Sequence, residues 1–384
     1  MSDFRTIEQT FEFDVYKKFD LTLVRGQNAV IWDDKGKQYL DCVSGNGVAN
    51  LGHGNPAVLK AIQQQAQTLI TCSNVFYNDK RAQLLEKLIQ ITPKNLTRAF
   101  LSNSGAESIE AAIKFARFNT HKTDFICAEK AFHGRTFAAM SATYKQLYKE
   151  SYRPLVPGFT FVPFNNFDEL KAAITDKTAG IILEIIQGEG GINIANKNYI
   201  RSVRDLCDEQ GILLIIDEIQ SGFCRTGKMF ACNYYDLHPD ILCLAKGIAG
   251  GLPMGATVCS DSLQIPLGRH GTTFGGNPLS CAAALAAIQF MQDNQLDVVA
   301  KRKGDYFTNR LLKQPLGNVV EIRNMGLMIG VDVKGEARPY ILDLVEKGVL
   351  TFAAGTNVIR VFPPLTIEQE QLDRVIDCLV EVLA

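Results

Sequence analysis

The chain has 384 residues, a hydrophobic fraction of 46%, a charged fraction of 21% and a formal net charge of -1. That is the profile of a globular protein with room for one large domain and one smaller one, and near-neutrality gives no electrostatic reason to expect nucleic acid or an anionic membrane as a partner. The ten cysteines are scattered singly and the five histidines show no ligand spacing, so neither a disulfide framework nor a metal site is expected.

Residues 1–45 form an entry segment. It contains a hairpin signal, Ala29 to Trp32 and Gln38 to Leu40 around a polar turn from Asp33 to Gly36, and is expected to pack with a small C-terminal domain. It holds no signal-peptide core, and nowhere do eighteen apolar residues run together, which points to a cytoplasmic protein. From 46 to 295 the pattern alternates. Strands are expected at Arg98 to Leu101, Asp124 to Ala128, Thr160 to Phe164, Gly180 to Ile185, Ile212 to Ile216, Ile241 to Leu244 and Ala256 to Cys259, with helix-period segments such as Glu107 to Phe118 and Tyr199 to Gln210 between some of them. This predicts an α/β large domain with a mostly parallel sheet covered on both faces. A helix runs through Phe290, and residues 296–384, with a strand at Met328 to Val333 and a last helix from about Glu368, read as a smaller α+β domain.

Two of the apolar runs end in charge: Ile212 to Ile216 leads into Asp217, and Ile241 to Ala245 into Lys246. The carboxyl ends of strands are where open α/β sheets bind ligands. A carboxylate and an amine at that edge, followed by the glycine-rich Gly247 to Gly255, suit pyridoxal phosphate: the lysine forms a Schiff base and the acid keeps the pyridine nitrogen protonated. Singly, the same residues also read as a snorkelling lysine and a strand-end acid.

Ser102 to Glu107 ends a strand and opens a helix, which suits a phosphate but also fits an ordinary capping box. In Ala131 to Thr136, Phe132 can stack on a flat cofactor and Arg135 can clamp a carboxylate, or the two are a core aromatic and a surface charge. His270 to Pro278 sets two hydroxyls among glycines, as an ordinary turn before a helix also does. Glu189 and Arg360 are uninformative singly.

Taken together and in this order, Asn103-Ser104-Gly105, Phe132 to Arg135, Gln187 to Gly191, Asp217 to Gln220, Lys246, His270 to Pro278 and Arg360 to Pro364 resemble the class III, ornithine-type aminotransferases of fold type I, over nearly the whole chain. The resemblance implies a pyridoxal-phosphate-binding domain over 46–295. It implies Lys246 as the Schiff-base lysine, Asp217 at the pyridine nitrogen with Glu218, Ile219 and Gln220 beside the cofactor, Phe132 on the ring, and Gly105 and Ala106 at the phosphate. Threonine is usual in the family where Ala106 stands, so Ser104 or water would replace that hydroxyl. Thr273 would reach the phosphate in the neighbouring subunit of a homodimer, with Thr272 near the substrate.

The likeness is greatest to the acetylornithine branch and to enzymes acting on an amino-group carrier protein in lysine and arginine biosynthesis. It is carried by Asp41-Cys42-Val43, Gly47 to Pro56, Gly271 to Thr273 and Met325 to Gly330. This implies transfer between glutamate/2-oxoglutarate and a carrier-linked aminoadipate or glutamate semialdehyde, with N-acetylornithine as the alternative substrate and an aminomutase as a third reading. Arg135 would take the distal carboxylate, Arg360 the α-carboxylate of glutamate, and Glu189 would close onto Arg360 when the other substrate binds. A small acidic carrier would call for a basic rim at the active-site mouth.

Overall fold

The computed structural model describes residues 4–384. Its central sheet has seven strands, numbered here along the chain: β1 Leu96–Ser102, β2 Asp124–Ala128, β3 Phe159–Val162, β4 Thr178–Glu184, β5 Leu213–Asp217, β6 Ile241–Leu244 and β7 Gly255–Ser260. They lie in the order β1-β7-β6-β5-β4-β2-β3. Every residue of β4, β6 and β7 is buried, because helices cover both faces. Strands of that kind read as unbroken apolar runs rather than alternating ones.

The expected mostly parallel sheet is present, with one strand reversed and one strand ending earlier than expected. β7 runs antiparallel between β6 and β1, whereas the other strands share one direction. Its link from β6, residues 245–254, is shorter than the dozen or more residues that a parallel return requires. The strand expected through Phe164 stops at Val162, because Pro163 brings no N–H to the ladder.

Helix α1, Gly105–Thr120, follows β1 directly and packs against β7 with a face that includes Ile109, Ala112, Ile113 and Ala116. The alanines let its axis lie close to the sheet. The predicted hairpin is present as Val30–Asp33 and Gln38–Asp41, joined in one sheet by Leu23–Gln27 and, in parallel with Gln38–Asp41, by Val349–Leu350. The start of the chain is thus stitched to its last fifty residues. A further sheet of Val319–Met325, Met328–Val333, Val358–Val361 and Phe352–Ala354 carries Arg360 in its third strand and is flanked by the helices Leu296–Leu311, Ala337–Glu346 and Gln369–Leu383. Among the described residues, no helix is long and apolar enough to cross a membrane.

Candidate active site

Parallel strands in register bring their final residues side by side. Asp217 at the end of β5 pairs directly with Glu184 at the end of β4, and β6, next to β5 on its other side, runs on through Ala245 into Lys246. β2 leads into the loop that carries Phe132, His133 and Arg135. These endings wall one cavity of about 450 Å³, closed on another side by the start of α1.

Lys246 is the one lysine lining this cavity, and among the described residues its amine has no hydrogen-bond partner. Its backbone is left-handed, with φ at 46°, a conformation that costs a non-glycine residue about 1 kcal/mol or more and that clusters at functional sites. Burial lowers the pKa of the amine and Arg360 adds to this, against the opposing charges of Glu189, Asp217 and Glu184. The nucleophilic neutral form is thereby favoured.

Behind Lys246 lies a buried acid–imidazole cluster. Asp217 Oδ2 is 2.7 Å from His133 Nδ1, and Asp217 Oδ1 accepts the Ile219 N–H at 3.0 Å. Burial works against a charge on His133, but the hydrogen bond and charge of Asp217, with Glu184 beyond, outweigh it and raise the imidazole pKa. The Nε2 of His133 is buried without a partner among the described residues. Burial, reinforced by Asp217 and partly offset by His133, pushes the Glu184 carboxyl up to about 8. Its two oxygens accept the N–H groups of Phe132 at 3.2 Å and Gly188 at 3.4 Å, tying together two loops that line the cavity.

At the α1 end, Ser104 caps the helix through the Glu107 N–H at 3.2 Å, and the Glu107 carboxylate takes the Asn103 N–H at 2.8 Å. The next two N–H groups, of Gly105 and Ala106, have no partner among the described residues and sit at the cavity wall. Open amides on the positive end of a helix dipole favour an anion. A side chain at Gly105 would force Ile219 to shift, since a Cβ would stand 2.8 Å from Ile219 Cδ1.

An arginine–carboxylate pair stands at another wall, Glu189 lining the cavity and Arg360 behind it. Arg360 is buried; its Nη1 pairs with Glu189 Oε1, and its Nη2 donates to Asn46 Oδ1 at 3.0 Å. Gln220 Nε2 donates to the same Glu189 oxygen at 3.3 Å, while Gln220 Oε1 is buried and unpartnered among the described residues. Burial opposes ionisation of Glu189, yet Arg360 and then Lys246 outweigh it and lower its pKa. Arg135, by contrast, is exposed, with its guanidinium carbon 3.4 Å from the centre of the Tyr148 ring.

The structure therefore gathers Gly105, Ala106, Phe132, Arg135, Glu189, Asp217, Ile219, Gln220 and Lys246 around one cavity, with Arg360 behind Glu189. Glu218 is not in the cavity lining: its side chain accepts from Ser221 Oγ at 2.6 Å, Ala231 N at 2.9 Å and Cys232 N at 2.6 Å. Thr272 and Thr273 lie outside the wall of this cavity, and Thr273 is exposed. Sequence reasoning assigned no role to His133, Glu184 or Asn46. The first lies inside a motif that had been singled out, the second ends a strand beside Asp217, and the third sits between glycines in a left-handed run.

The sequence profile described as aminotransferase class-III matches residues 14–383. The chain belongs to this family. The class III aminotransferase is 44% identical to the acetylornithine aminotransferase of Methanocaldococcus jannaschii, over 98% of this chain and 96% of that one. It is also 44% identical to the [LysW]-aminoadipate semialdehyde transaminase of Deinococcus radiodurans, over 98% of this chain and 89% of the other. Among solved structures, the ornithine aminotransferase of Toxoplasma gondii superposes with a TM-score of 0.94 at 30% identity, covering 99% of this chain and 94% of its own, and holds pyridoxal phosphate at partial occupancy in its active site. The acetylornithine aminotransferase of Elizabethkingia anophelis gives a TM-score of 0.86 at 30% identity, covering 99% and 98%. The protein is a pyridoxal-phosphate-dependent aminotransferase of fold type I. Its site fits that cofactor: the unpartnered Lys246 amine suits the aldehyde, the open amides of α1 the phosphate, and the orphaned Gln220 Oε1 a polar group on the ring.

Proposed function

We propose that this aminotransferase moves a terminal amine between glutamate/2-oxoglutarate and a semialdehyde whose α-nitrogen is blocked. The blocked substrate is a carrier-linked aminoadipate semialdehyde, giving carrier-linked lysine, or the glutamate semialdehyde homologue, giving carrier-linked ornithine. The observation that carries this reading is the contrast between two arginines: Arg360 is buried and already paired with Glu189, whereas Arg135 stands open at the mouth. Glutamate needs both, and an ω-amine substrate needs only Arg135. The similarity to a transaminase named for a carrier-linked semialdehyde supports the same choice. Equal identity to a protein named for acetylornithine keeps N-acetylornithine as the second reading.

In this reading the bound cofactor supplies an aldehyde that condenses with amines and a ring that takes up the electron pair left when a proton departs. Lys246 would hold the cofactor through its aldehyde and, when released from it, its Nζ would take the proton from the substrate carbon and hold it for redelivery. Asp217 holds a proton on the ring nitrogen, with His133 orienting its carboxylate. Phe132 would lie against the cofactor ring and Gln220 near its polar substituent, Ile219 packs beside Gly105, and the open Gly105 and Ala106 amides would hold the phosphate. Arg135 clamps the distal carboxylate.

Glu189 acts as the specificity switch. With an ω-amine substrate, it stays on Arg360 and spares that cation from facing methylenes unpaired, a costly arrangement. Glutamate's α-carboxylate displaces it. Glu189→Ala is therefore expected to shift the ratio of kcat/KM for the ω-amine substrate to that for glutamate roughly ten- to hundredfold toward glutamate, equivalent to ~1–3 kcal/mol at this partly exposed pair. Half-reactions measured separately with each amine read this directly, and an unchanged ratio would remove the switch.

The working unit proposed is a dimer in which a second copy of the chain brings Thr273 to the phosphate end and Thr272 to the substrate. Val75, Phe76, Tyr77 and Phe274 form exposed apolar surface beside this loop, and Asn74 ties the two segments together through the carbonyls of Thr272 at 3.0 Å and Gly275 at 3.1 Å. Exposed patches of this sort mark association surfaces. The substrate assignment is tested by following the cofactor spectrum of the purified holoenzyme with glutamate, N-acetylornithine, free ornithine, and carrier-linked lysine and ornithine in turn. Much faster conversion by the carrier-linked amines is the expected result, and rapid conversion by N-acetylornithine with little response to the carrier forms would select the alternative.

A further inference from the structure

After Arg360 the chain runs on through Phe362 into residues 363–367, whose alternate carbonyls meet two buried cations. Arg225 Nη1 donates to the carbonyl of Pro363 at 2.6 Å and to that of Leu327 at 3.2 Å. Lys303 Nζ donates to the carbonyls of Leu365, at 3.0 Å, and Ile367. Arg225 comes from the loop after β5 and is 1% exposed; Lys303 comes from the helix Leu296–Leu311. Among the described residues neither makes an ion pair, and Arg225 Nε and Nη2 are buried with no partner. Burial draws the Arg225 pKa down to about 10 and the Lys303 pKa, with Arg302 adding to the effect and Glu368 opposing it, down to about 8. A buried cation without an acid is costly, and what these two contribute in return is a clamp on the carbonyls of one segment.

The clamp acts next to the substrate-binding arginine. The centre of the Phe362 ring is 5.5 Å from the Arg225 guanidinium carbon and 5.1 Å from that of Arg360. The Phe362 backbone is fixed as well: its N–H donates to the Cys42 carbonyl at 2.8 Å, and its carbonyl accepts from Ser44 Oγ at 2.7 Å. Arg360 thus rests on a ring whose other cation belongs to the loop after β5, whereas its own strand belongs to the C-terminal sheet. We propose that Arg225 is a positioning residue for the glutamate half-reaction: by fixing the Pro363 carbonyl and the Phe362 ring, it sets where the Arg360 guanidinium meets the α-carboxylate, and Lys303 holds the far end of the same segment. This role rests on Arg360 as the α-carboxylate site, given above, and deepens it.

The test uses the holoenzyme and separate half-reactions with glutamate, which needs Arg360, and with Nα-acetylornithine and carrier-linked ornithine, which do not. In Arg225→Met, kcat/KM for glutamate is expected to fall roughly ten- to hundredfold, the scale of a misplaced substrate clamp, with less than about a threefold change for the blocked amines. Added to Arg360→Gln, the same substitution should cost the glutamate half-reaction less than about twofold more, because a residue that acts only through Arg360 has nothing left to position. Lys303→Met leaves Arg225 in place and should shift the glutamate-to-blocked-amine ratio in the same direction by about two- to fivefold; it decides the matter if Arg225→Met does not fold. Losses that are proportional for all the amines, or that add in full to those of Arg360→Gln, would overturn the role and leave Arg225 a purely structural residue. If wild type converts glutamate but neither blocked amine, the blocked-substrate reading fails instead, and the combination of Arg225→Met with Arg360→Gln, read with glutamate alone, still decides the role of Arg225.

Discussion

Lys246→Ala is expected to lower turnover by roughly 10,000-fold or more while leaving the protein folded. Two functions disappear together. In the proposed mechanism the covalent anchor for the cofactor would be lost, and with it the group that would move the substrate-carbon proton, which alone is typically worth about 100- to 10,000-fold. Among the described residues no other lysine lines the cavity to replace it. Stability is expected to hold for a separate reason. The pKa of this amine is lowered by burial, and a lysine whose folded pKa lies below its unfolded value costs stability at low pH, a cost that fades as pH rises toward the unfolded value. Alanine removes that cost, so the cofactor-free variant should melt no earlier than cofactor-free wild type at neutral pH. The spectrum should change from lysine-linked cofactor to the free aldehyde. More than about one per cent residual turnover, a barrier change of less than ~3 kcal/mol, would assign the chemistry to another group.

Asp217 and Lys246 were legible in the sequence because strands buried on both faces are unbroken apolar runs with abrupt ends, and the end of such a strand is the binding edge. Most of the sheet was readable for the same reason. The direction of β7 was not, since direction leaves no mark on hydrophobic pattern; only the short link after β6 implies it. Glu218 shows a signal that was present and unused. Adjacent residues leaving a strand point to opposite sides, so only one of Asp217 and Glu218 can face the cavity, and the second is consumed by the N–H groups of Ala231 and Cys232.

The Glu189–Arg360 pair joins residues 171 positions apart, and no local pattern announces such a contact. Family resemblance suggested the two residues, and folding explains them: the antiparallel strand Val358–Val361 aims Arg360 back at the loop after β4. Asn46, which completes the arginine's bonding, stands in a backbone run with φ at 61°, tolerable to asparagine and flanked by glycines. The contact of His133 with Asp217 was likewise invisible, because Asp217 belongs to a strand two places away in the sheet, beyond β4.

Asp217→Asn is the second substitution expected to have a large effect, and it separates charge from shape. Asparagine fills the same space and can still accept the Ile219 N–H, but its amide cannot keep a proton on the pyridine nitrogen. Turnover is expected to fall by roughly 100- to 10,000-fold, the span of a positioned acid–base group, with a smaller change in KM because the substrate carboxylates bind elsewhere. His133 reports on the same change. The Asp217 hydrogen bond and charge are what outweigh burial and raise its pKa, so in the variant the ring should titrate at lower pH. The sign for stability follows. A histidine raised in the folded state contributes stability that is fully present below its unfolded pKa of about 6.5 and is lost as pH rises through the folded value. Wild type should therefore exceed Asp217→Asn most at acid pH, and the gap should narrow as pH rises past the titration of His133. Thermal melting across that range, with the imidazole resonance followed by NMR, measures both. A gap that does not vary with pH would mean that Asp217 and His133 are not a charged pair.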